Sequence, residues 1–486
     1  MSKKHSWGLH VGFLSVLCLV VVGLMAGSAF AAPGMPSSGE KKNMKLIGYS
    51  DLQGRESLQV TAKGDFVFVG THPGRHPNPL NNDIMEWNGT TVLDISNPKR
   101  PVILSHIPNP EETNSRAAQV MYNYMDKGCG DFLIRNHETD TVWKYEIFDI
   151  TNKANPVKVP GAEITNGQSG LLTAAHKGWW DEGGLYYHSS NEAGWEEQHL
   201  MIHRIELSDA PNCDLTITFV GKAWIPGQET GDPLPVDGVR PSMHHPIVDQ
   251  DANRVYAAFL GGGDVAAWDV SNPAAPILKW HIDTEPPGSG THTVAAIEYL
   301  DVPNFEDEFL SGEADIDVPQ PPRVYALVAD EATGGDTWRF TDNPPGVRHH
   351  ARPKIYMFDI THAETMGVPF PVETWQVPNA GYVDRGGRFG PHQFNETING
   401  EYNRFVDKIA YVPYFNAGVR TIDISDPYNI KEVGYYVPQE NERCGNMGGG
   451  QVGPQVTIND ADVDGRGLIY ASDRVGCGLY VLEFKK

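Results

Sequence analysis

The stretch TTVLDISNPKRPVILSHIP, residues 90–108, joins two β-rich runs through a turn that contains Asp, Asn and Pro. β-Branched and aromatic residues favour strands, while Asp and Asn side chains hydrogen-bond nearby backbone N–H groups in turns. The motif returns as YEIFDITNKANPVKVPG from Tyr145, VAAWDVSNPAAPILKWHI from Val265, IYMFDITHAETMGVPFPVETWQV from Ile355 and VRTIDISDPYNIKEVGYYV from Val419. Two degenerate copies, MIHRIELSDA from Met201 and LYVLEF from Leu479, complete a set of repeats that spans most of the chain.

Each repeat is predicted to form four antiparallel strands, because two further short β-rich runs lie upstream of each unit, such as PIVD and RVYAAFL. Seven such repeats predict an all-β fold, a seven-bladed β-propeller. The acidic residue of each unit is interpreted as a turn residue rather than as half of a catalytic carboxylate pair. These residues are Asp94, Asp149, Glu206, Asp269, Asp359, Asp423 and Glu483.

The last repeat ends after three strands, and MKLIGYSDL from Met44 looks like the outer-strand segments elsewhere, such as IKEVGYYV. We therefore expect the ring to be closed by an N-terminal strand that joins the C-terminal blade. The propeller is predicted to span residues 44–486 as a single domain, preceded by a short segment at residues 32–43.

The D-[IV]-[ST]-[ND]-P units resemble the LVIVD-repeat family of exported bacterial β-propellers. This resemblance covers nearly all of the chain after residue 43 and implies the propeller fold. VRTIDISDPYNIKEVGYY, in one blade, is also distantly similar to selenium-binding-protein-like methanethiol oxidases. Propellers carry many unrelated activities, so function has to be argued from particular side chains.

The first residues, MSKKHSWGLHVGFLSVLCLVVVGLMAGSAFAAPG, combine two lysines, an apolar run and a small-x-small sequence at Ala29–Ala31. This pattern predicts a cleaved secretory signal peptide at residues 1–31. No later stretch of the sequence is apolar for long enough to span a bilayer as a helix. We therefore expect a periplasmic or secreted protein without a membrane span after cleavage.

The formal net charge of −24 argues against nucleic acid as a partner, because an acidic surface repels the phosphate backbone. The expected ligand is a small-molecule substrate. A periplasmic partner protein remains an alternative.

Four cysteines follow the predicted signal peptide, and an even number in an oxidising compartment indicates disulfides. The repeat scheme favours the pairs Cys129–Cys213 and Cys444–Cys477. Because the chain contains no CxxC or CxxCH motif, we expect neither a cysteine-ligated metal nor c-type haem.

Histidines recur at the predicted start of the innermost strand in four consecutive repeats: His176, the pair His244 and His245, His292 and His392. Neutral imidazole is a common ligand of transition metals, and equivalent positions on neighbouring blades converge on the propeller axis. The predicted metal ligands are His176, His245, His292 and His392. Adjacent strand residues face opposite ways, so His244 is expected to pack between blades.

The absence of thiolate ligands favours copper or iron over zinc. Hydrogen bonding of the same histidines to loop backbones, without a metal, is the alternative. DADVDGRG from Asp460 matches the start of a calcium loop, with oxygens at Asp460, Asp462 and Asp464, although no Glu occupies its twelfth position. A strand-connecting turn is the other interpretation.

Further polar residues follow the second strand of each repeat, near the same end of the channel. Catalytic roles are predicted for Tyr414, His137 and Arg474. Substrate-binding roles are predicted for His72, His188 and Asp473.

These patterns favour a periplasmic, metal-dependent oxidoreductase that acts on a small molecule. Two alternatives remain open at this point. One is a non-enzymatic exported propeller that binds a protein or polysaccharide. The other is a polysaccharide lyase or hydrolase that uses His137, His188 and Tyr414, with Arg474 neutralising charge.

Overall fold

The computed structural model describes residues 36, 39–111, 113–138, 143–165, 172–235, 238–284, 290–299, 323–331, 353–378, 381–382, 385, 388–397, 404–445 and 456–486. The predicted signal peptide at residues 1–31 lies outside these residues. Searched over this part of the chain, the helices include none that is both long and apolar enough to cross a membrane.

The described residues are almost entirely strand and loop. The strands are β1 (Glu40–Lys42), β2 (Met44–Ser50), β3 (Ser57–Lys63), β4 (Phe66–Thr71), β5 (Arg75–Asn78), β6 (Ile84–Trp87), β7 (Gly89–Asp94), β8 (Val102–Pro108), β9 (Ala118–Met121), β10 (Phe132–His137), β11 (Lys144–Asp149), β12 (Val157–Ile164), β13 (Leu172–Trp180), β14 (Leu185–Glu192), β15 (His199–Leu207), β16 (Leu215–Ala223), β17 (Ser242–Asp249), β18 (Arg254–Gly261), β19 (Asp264–Asp269), β20 (Ile277–Asp283), β21 (Thr291–Tyr299), β22 (Arg323–Asp330), β23 (Ile355–Asp359), β24 (Phe370–Trp375), β25 (Ile409–Pro413), β26 (Val419–Asp423), β27 (Lys431–Val437), β28 (Ile458–Val463), β29 (Ile469–Asp473) and β30 (Leu479–Phe484). Among the described residues, one short α-helix, α1, spans Ala363–Met366, and four single-turn 3₁₀ helices span Leu52–Gly54, Pro79–Asn81, Tyr124–Asp126 and Val406–Lys408.

These strands form seven four-stranded antiparallel sheets, which confirms the predicted seven-bladed propeller. Blade one contains β3, β4, β7 and β8, with β5 and β6 forming a separate hairpin. Blades two to five take β9–β12, β13–β16, β17–β20 and β21–β24 in sequence order. Blade six contains β25–β27, and blade seven contains β28–β30.

An N-terminal strand completes the last blade, as predicted. β2 pairs antiparallel with β30, from Met44 opposite Phe484 to Ser50 opposite Leu479. A second pairing was not expected from the sequence: β1 pairs with β27, placing Glu40 opposite Val437. Two consecutive strands, separated only by Asn43, therefore join two neighbouring blades.

The repeated turn has the structure that its sequence predicts. In five repeats the Asp Oδ1 accepts the N–H of the residue two positions later, at 2.8–2.9 Å. These acceptors are Asp94, Asp149, Asp269, Asp359 and Asp423. The apolar residue after each Asp is buried between blades. These five carboxylates therefore serve as hydrogen-bond acceptors within the turns.

Both predicted disulfides are present. Cys129–Cys213 connects the β9–β10 loop of blade two to the β15–β16 loop of blade three, with Cα atoms 5.6 Å apart. Cys444–Cys477 connects the segment after β27 to the β29–β30 loop of blade seven. Each bond therefore links two neighbouring blades.

Replacing Gly48 by Ala should weaken ring closure, because a Cβ at this position in β2 would lie 2.0 Å from the carbonyl oxygen of Pro98 in the first repeat's turn. We expect the free energy of unfolding to fall by about 1–3 kcal/mol, a typical cost of overpacking. Urea unfolding followed by circular dichroism measures it. Lys45→Ala, on the exposed side of the same strand, is the control. Equal midpoints for the two variants would contradict the proposed contact.

Removing either disulfide should lower the free energy of unfolding, since each bond shortens a long loop of the unfolded chain. The bonds close sequence separations of 84 and 33 residues. In the chain-entropy model, these loops correspond to about 4.6 and about 3.7 kcal/mol. Denaturant unfolding of the two double Cys→Ala variants tests this estimate. A variant as stable as the oxidised wild type would show that its bond adds nothing.

Candidate metal centre

The innermost strands of blades three, four and five each contain a β-bulge. In β17, Met243 and His245 face two consecutive residues of β18, so His244 is the additional residue. The register shifts in the same way around His176 in β13 and at His292 in β21. A bulge leaves one residue outside the ladder and re-aims its side chain. Three neighbouring blades thus turn a histidine away from the regular alternation of the strand.

Blade six reaches the same arrangement without a regular inner strand. The N–H of His392 donates to the carbonyl of Pro413 at 3.0 Å, and that of Asn395 donates to Tyr411 at 2.9 Å. The inner segment therefore advances by three residues, from His392 to Asn395, while β25 advances by two, from Pro413 to Tyr411. The additional residue lies between His392 and Asn395.

Four imidazoles from blades three to six form a continuous group, here named the histidine row: His176, His244, His292 and His392. Successive ring centroids are 4.2, 3.8 and 4.0 Å apart. His292 is fully buried, and the most exposed member, His176, has 13% of its side chain accessible. The sequence prediction that these blades place histidines close together is therefore matched by the geometry.

In three of the four rings, Nδ1 is held by a polar group of the protein. His176 Nδ1 contacts the Glu138 carboxylate, and His292 Nδ1 lies 2.7 Å from the Thr293 hydroxyl. His392 Nδ1 lies 2.5 Å from the carbonyl of Asn459 and donates to it. An acceptor at one ring nitrogen fixes the tautomer and leaves the other nitrogen as a lone-pair donor.

In three of the four rings, Nε2 faces another ring of the row or lacks a hydrogen-bond partner among the described residues. The Nε2 atoms of His176 and His244 are 2.7 Å apart. His292 Nε2 is buried and has no hydrogen-bond partner among the described residues. Burying such a nitrogen without a partner is costly, so the arrangement favours a bound ligand.

The structure places His244 in the row and His245 behind it. The Nδ1 atoms of the two histidines are 2.9 Å apart, and His245 Nε2 lies 2.7 Å from Oε1 of Glu396. The expectation that His244 packs between blades and His245 faces the axis assumed a regular strand. The bulge removes that assumption. Ligand atoms of His244, His245 and His292 still all lie within 4.8 Å of one another.

Carboxylates near the row were not selected from the sequence. Besides Glu138 and Glu396, Glu331 lies after β22, with Oε1 3.8 Å from His392 Nε2. Ligand atoms of His292, Glu331 and His392 form a second group within 4.8 Å. Glu138 and Glu331 each directly follow the second strand of their repeat. His72 was selected from the sequence because of this same position, so the sequence also contained a signal for the two carboxylates.

A second group of buried polar residues includes the charged side chain of Lys177. Lys177 Nζ donates to Gln393 at 3.2 Å and lies 3.8 Å from Glu396. Gln393 in turn donates to Asp460. Burial and the nearby Glu396 charge raise the pKa of Asp460 well above its usual range.

The calcium interpretation is not supported. Asp460 and Asp462 accept the N–H groups of Val60 and Ala62, at 2.7 and 2.8 Å, and so join blade seven to blade one. Asp464 accepts N–H groups within its own turn, from Arg466 and Leu468. These carboxylates are occupied by donors in a strand and a turn, which agrees with the alternative interpretation.

Burial keeps three rings of the row, those of His244, His292 and His392, in the metal-binding form of imidazole. It lowers the pKa of each well below 6.5, and the charge of Lys177 lowers these values further. Neutral imidazole is the form that binds metals.

Tyr414 and His137, two of the predicted catalytic residues, make contacts within the protein core. Tyr414 packs against Phe389 and Trp375, with ring centroids 5.3 and 6.0 Å away, in the large apolar core. His137 Nε2 lies 2.5 Å from a carboxylate oxygen of Glu146 inside blade two. These contacts assign both residues to the support of their blades.

Two predicted substrate-binding residues also have structural contacts. His188 is fully buried between Ser190 and His203, 2.8 Å from each. Asp473 accepts backbone N–H groups of a turn, including that of Val475 at 2.8 Å. The structure therefore does not assemble His137, His188 and Tyr414 into an acid/base site.

His72 and Arg474, by contrast, lie beside the row. Arg474 Nη1 donates to Oδ1 of Asn459, whose carbonyl holds His392. The charges of Arg474 and His392 are among those that, after burial, lower the pKa of His72.

A profile of the LVIVD repeat matches residues 84–107, 258–284 and 407–437, which are strand and turn segments of blades one, four and six. The chain carries LVIVD repeats. No curated protein sequence matches it.

Solved propeller structures are similar to the chain at low identity. The β-propeller domain of Cps50 (Swd1) from Myceliophteria thermophila is 10% identical over 91% of this chain and 100% of that one, with a TM-score of 0.44. The WD40 β-propeller domain of Doa1 is 9% identical over 92% and 98%, with a TM-score of 0.44. A hypothetical selenium-binding protein from Sulfolobus tokodaii is 12% identical over 65% and 64%, with a TM-score of 0.37.

The metal-free protein should lose stability as the pH falls from 7.5 to 5.5. Burial lowers the pKa of ten described histidines below 6.5. They outnumber the five described carboxyls with raised pKa values, which act in the opposite direction. Below pH 6.5 the unfolded chain therefore binds more protons, and the free energy of unfolding decreases.

Urea unfolding at several pH values measures this slope, to which each histidine contributes up to about 1.4 kcal/mol per pH unit. His188→Gln should reduce the slope by removing one buried imidazole. Stability that stays constant or rises on acidification would contradict the prediction.

Proposed function

We propose that the protein is an exported, metal-dependent oxidoreductase, in which the histidine row binds a transition-metal ion, copper or iron, with ligands from the two groups around His292 whose atoms lie within 4.8 Å of one another. One observation carries the proposal: four neighbouring rings have Nδ1 engaged by the protein, and Nε2 of His176, His244 and His292 has no partner outside the row among the described residues. Orientation of ligand histidines through the second nitrogen is typical of metal centres.

The donor set agrees with this choice of metal. Structural zinc sites usually contain thiolates. All four cysteines after residue 31 are in disulfides, so none is available as a thiolate. Imidazole suits copper and iron as well as zinc, so the choice of metal rests on the missing thiolates.

The surrounding residues would hold the ligands in place. Glu138 orients His176, Thr293 orients His292, and the Asn459 carbonyl orients His392. His245 connects His244 to Glu396. When bound, the metal would supply Lewis acidity and electron transfer. Burial of the row excludes bulk water, and the proposed substrate site is the channel mouth beside His392.

Export is supported by the predicted signal peptide and is compatible with the two disulfides. The acid/base alternative loses support because His137, His188 and Tyr414 have structural contacts. A non-enzymatic binding protein is the rival that metal analysis separates from this proposal.

Protein purified without a His tag should contain about one copper or iron per chain. His244→Ala and His292→Ala should each remove most of it, because each deletes a ligand. Glu138→Gln should retain the ligands but weaken metal affinity about 10–100-fold. His281→Ala is the matched control. Elemental analysis gives the content, and circular dichroism confirms folding.

The bound ion should also change its redox state reversibly with a small-molecule reductant, followed by electron paramagnetic resonance. Sub-stoichiometric metal that is unaffected by His244→Ala and His292→Ala would overturn the metal site. A bound metal that is zinc, or that undergoes no redox change, would overturn the oxidoreductase assignment.

A further inference from the structure

The side of the channel mouth formed by blades six, seven, one and two carries basic residues in place of the histidine row. Arg474 directly follows β29 of blade seven, and His72 directly follows β4 of blade one. Arg116 lies two residues before β9 of blade two, and Arg388 precedes the inner segment of blade six. These four residues are named the basic pocket.

Hydrogen bonds between blades bring Arg474, His72 and Arg116 together. The Ser57 hydroxyl donates to the carbonyl of Asp473 at 2.7 Å, next to Arg474. The N–H of Thr71 donates to the carbonyl of Ser115 at 2.9 Å, which places His72 beside Arg116. Three of the four residues, Arg474, His72 and Arg116, therefore lie at or near strand ends.

Two carboxylates separate the guanidinium groups from the histidine row. Arg388 Nη1 is 2.9 Å and Arg474 Nη1 is 3.9 Å from the same oxygen of Glu331. Arg116 Nε is 2.7 Å from Oε2 of Glu138. Three guanidinium groups thus share two carboxylates, and both carboxylates also face imidazoles of the row.

Several donors of the pocket remain unsatisfied. Nε of Arg388, Nε of Arg474 and Nε2 of His72 are buried and have no hydrogen-bond partner among the described residues. Arg474 is 9% exposed and His72 is 5% exposed. Buried cations without full compensation are costly, so an anion at this place would stabilise them.

The electrostatics agree with an excess of positive charge. Burial, together with the charges of Arg388 and Arg116, lowers the pKa of Arg474 to about 9, although Glu331 acts in the opposite direction. Arg474 therefore stays protonated at neutral pH. This concentration of cations lies within a chain whose formal net charge is −24.

We propose that the basic pocket binds the anionic group of a small-molecule substrate, a carboxylate or a phosphate, beside the histidine row. Arginine presents planar pairs of donors that match both groups, and His72 Nε2 offers one further donor. That the bound molecule reacts at the row rests on the proposed function. Binding of the anion itself does not require the metal.

Isothermal titration calorimetry with acetate and with inorganic phosphate tests the pocket, on metal-free and on metal-loaded protein. The two anions distinguish a carboxylate from a phosphate site, and acetamide serves as the neutral isostere of acetate. The variants are Arg474→Gln and Arg388→Gln, so that one can replace the other if it fails to fold. The control is Arg100→Gln, in an exposed turn.

We expect wild type and Arg100→Gln to bind at least one of the anions and not acetamide. Each pocket variant should bind it roughly tenfold more weakly, since it loses a charge-assisted hydrogen bond. Wild type that binds neither anion in either state, or pocket variants that bind like wild type, would overturn the proposal. Elemental analysis of the same samples reports separately on the metal. Anion binding lost in Arg474→Gln would support the pocket even if no sample contained metal.

Discussion

The pairing of β2 with β30 is the constraint on which the rest of the fold depends. Without it, blade seven would have only three strands, and no N-terminal strand would connect the last blade to the first. The closed ring places the starts of all innermost strands around one axis. Asp460 and Asp462 reinforce the same junction by accepting N–H groups from the first strand of blade one. As a result, imidazoles from residue 176 to residue 392 can contact one another.

Sequence patterns predicted the architecture well because they reflect local energetics. The Asp of each repeat bonds to the backbone two residues later, and the Ile or Val that follows is buried, so each turn can be recognised independently. The N-terminal strand was recognisable by its likeness to outer strands. β1 was not, because three exposed residues in an edge strand carry no apolar pattern.

The candidate site was predicted in outline but not in detail. Histidines at equivalent places in four repeats identified the right blades. The choice between His244 and His245 assumed that successive side chains of a strand point to opposite faces. The β-bulge at His244 interrupts that alternation. Tyr414 and His137 follow the same register rule as Arg474, yet their surroundings are an apolar core and a buried ion pair. Whether the side chain of a polar residue faces the propeller axis or its own blade depends on tertiary packing. The spacing of residues along the sequence does not predict that packing.

The position of β2 also determines the order in which the molecule can be completed. Blades two to five use strands that are adjacent in sequence, so their pairings close short loops, whereas β2 and β30 must close a loop of almost the whole chain. Synthesis proceeds from the N-terminus, so β2 is made early and its partner last. The rings of the histidine row come from blades three to six. Arg474 and Asn459 belong to blade seven, and Asn459 also holds His392 of the row, so both sides of the mouth depend on the blade that contains the last-made strand.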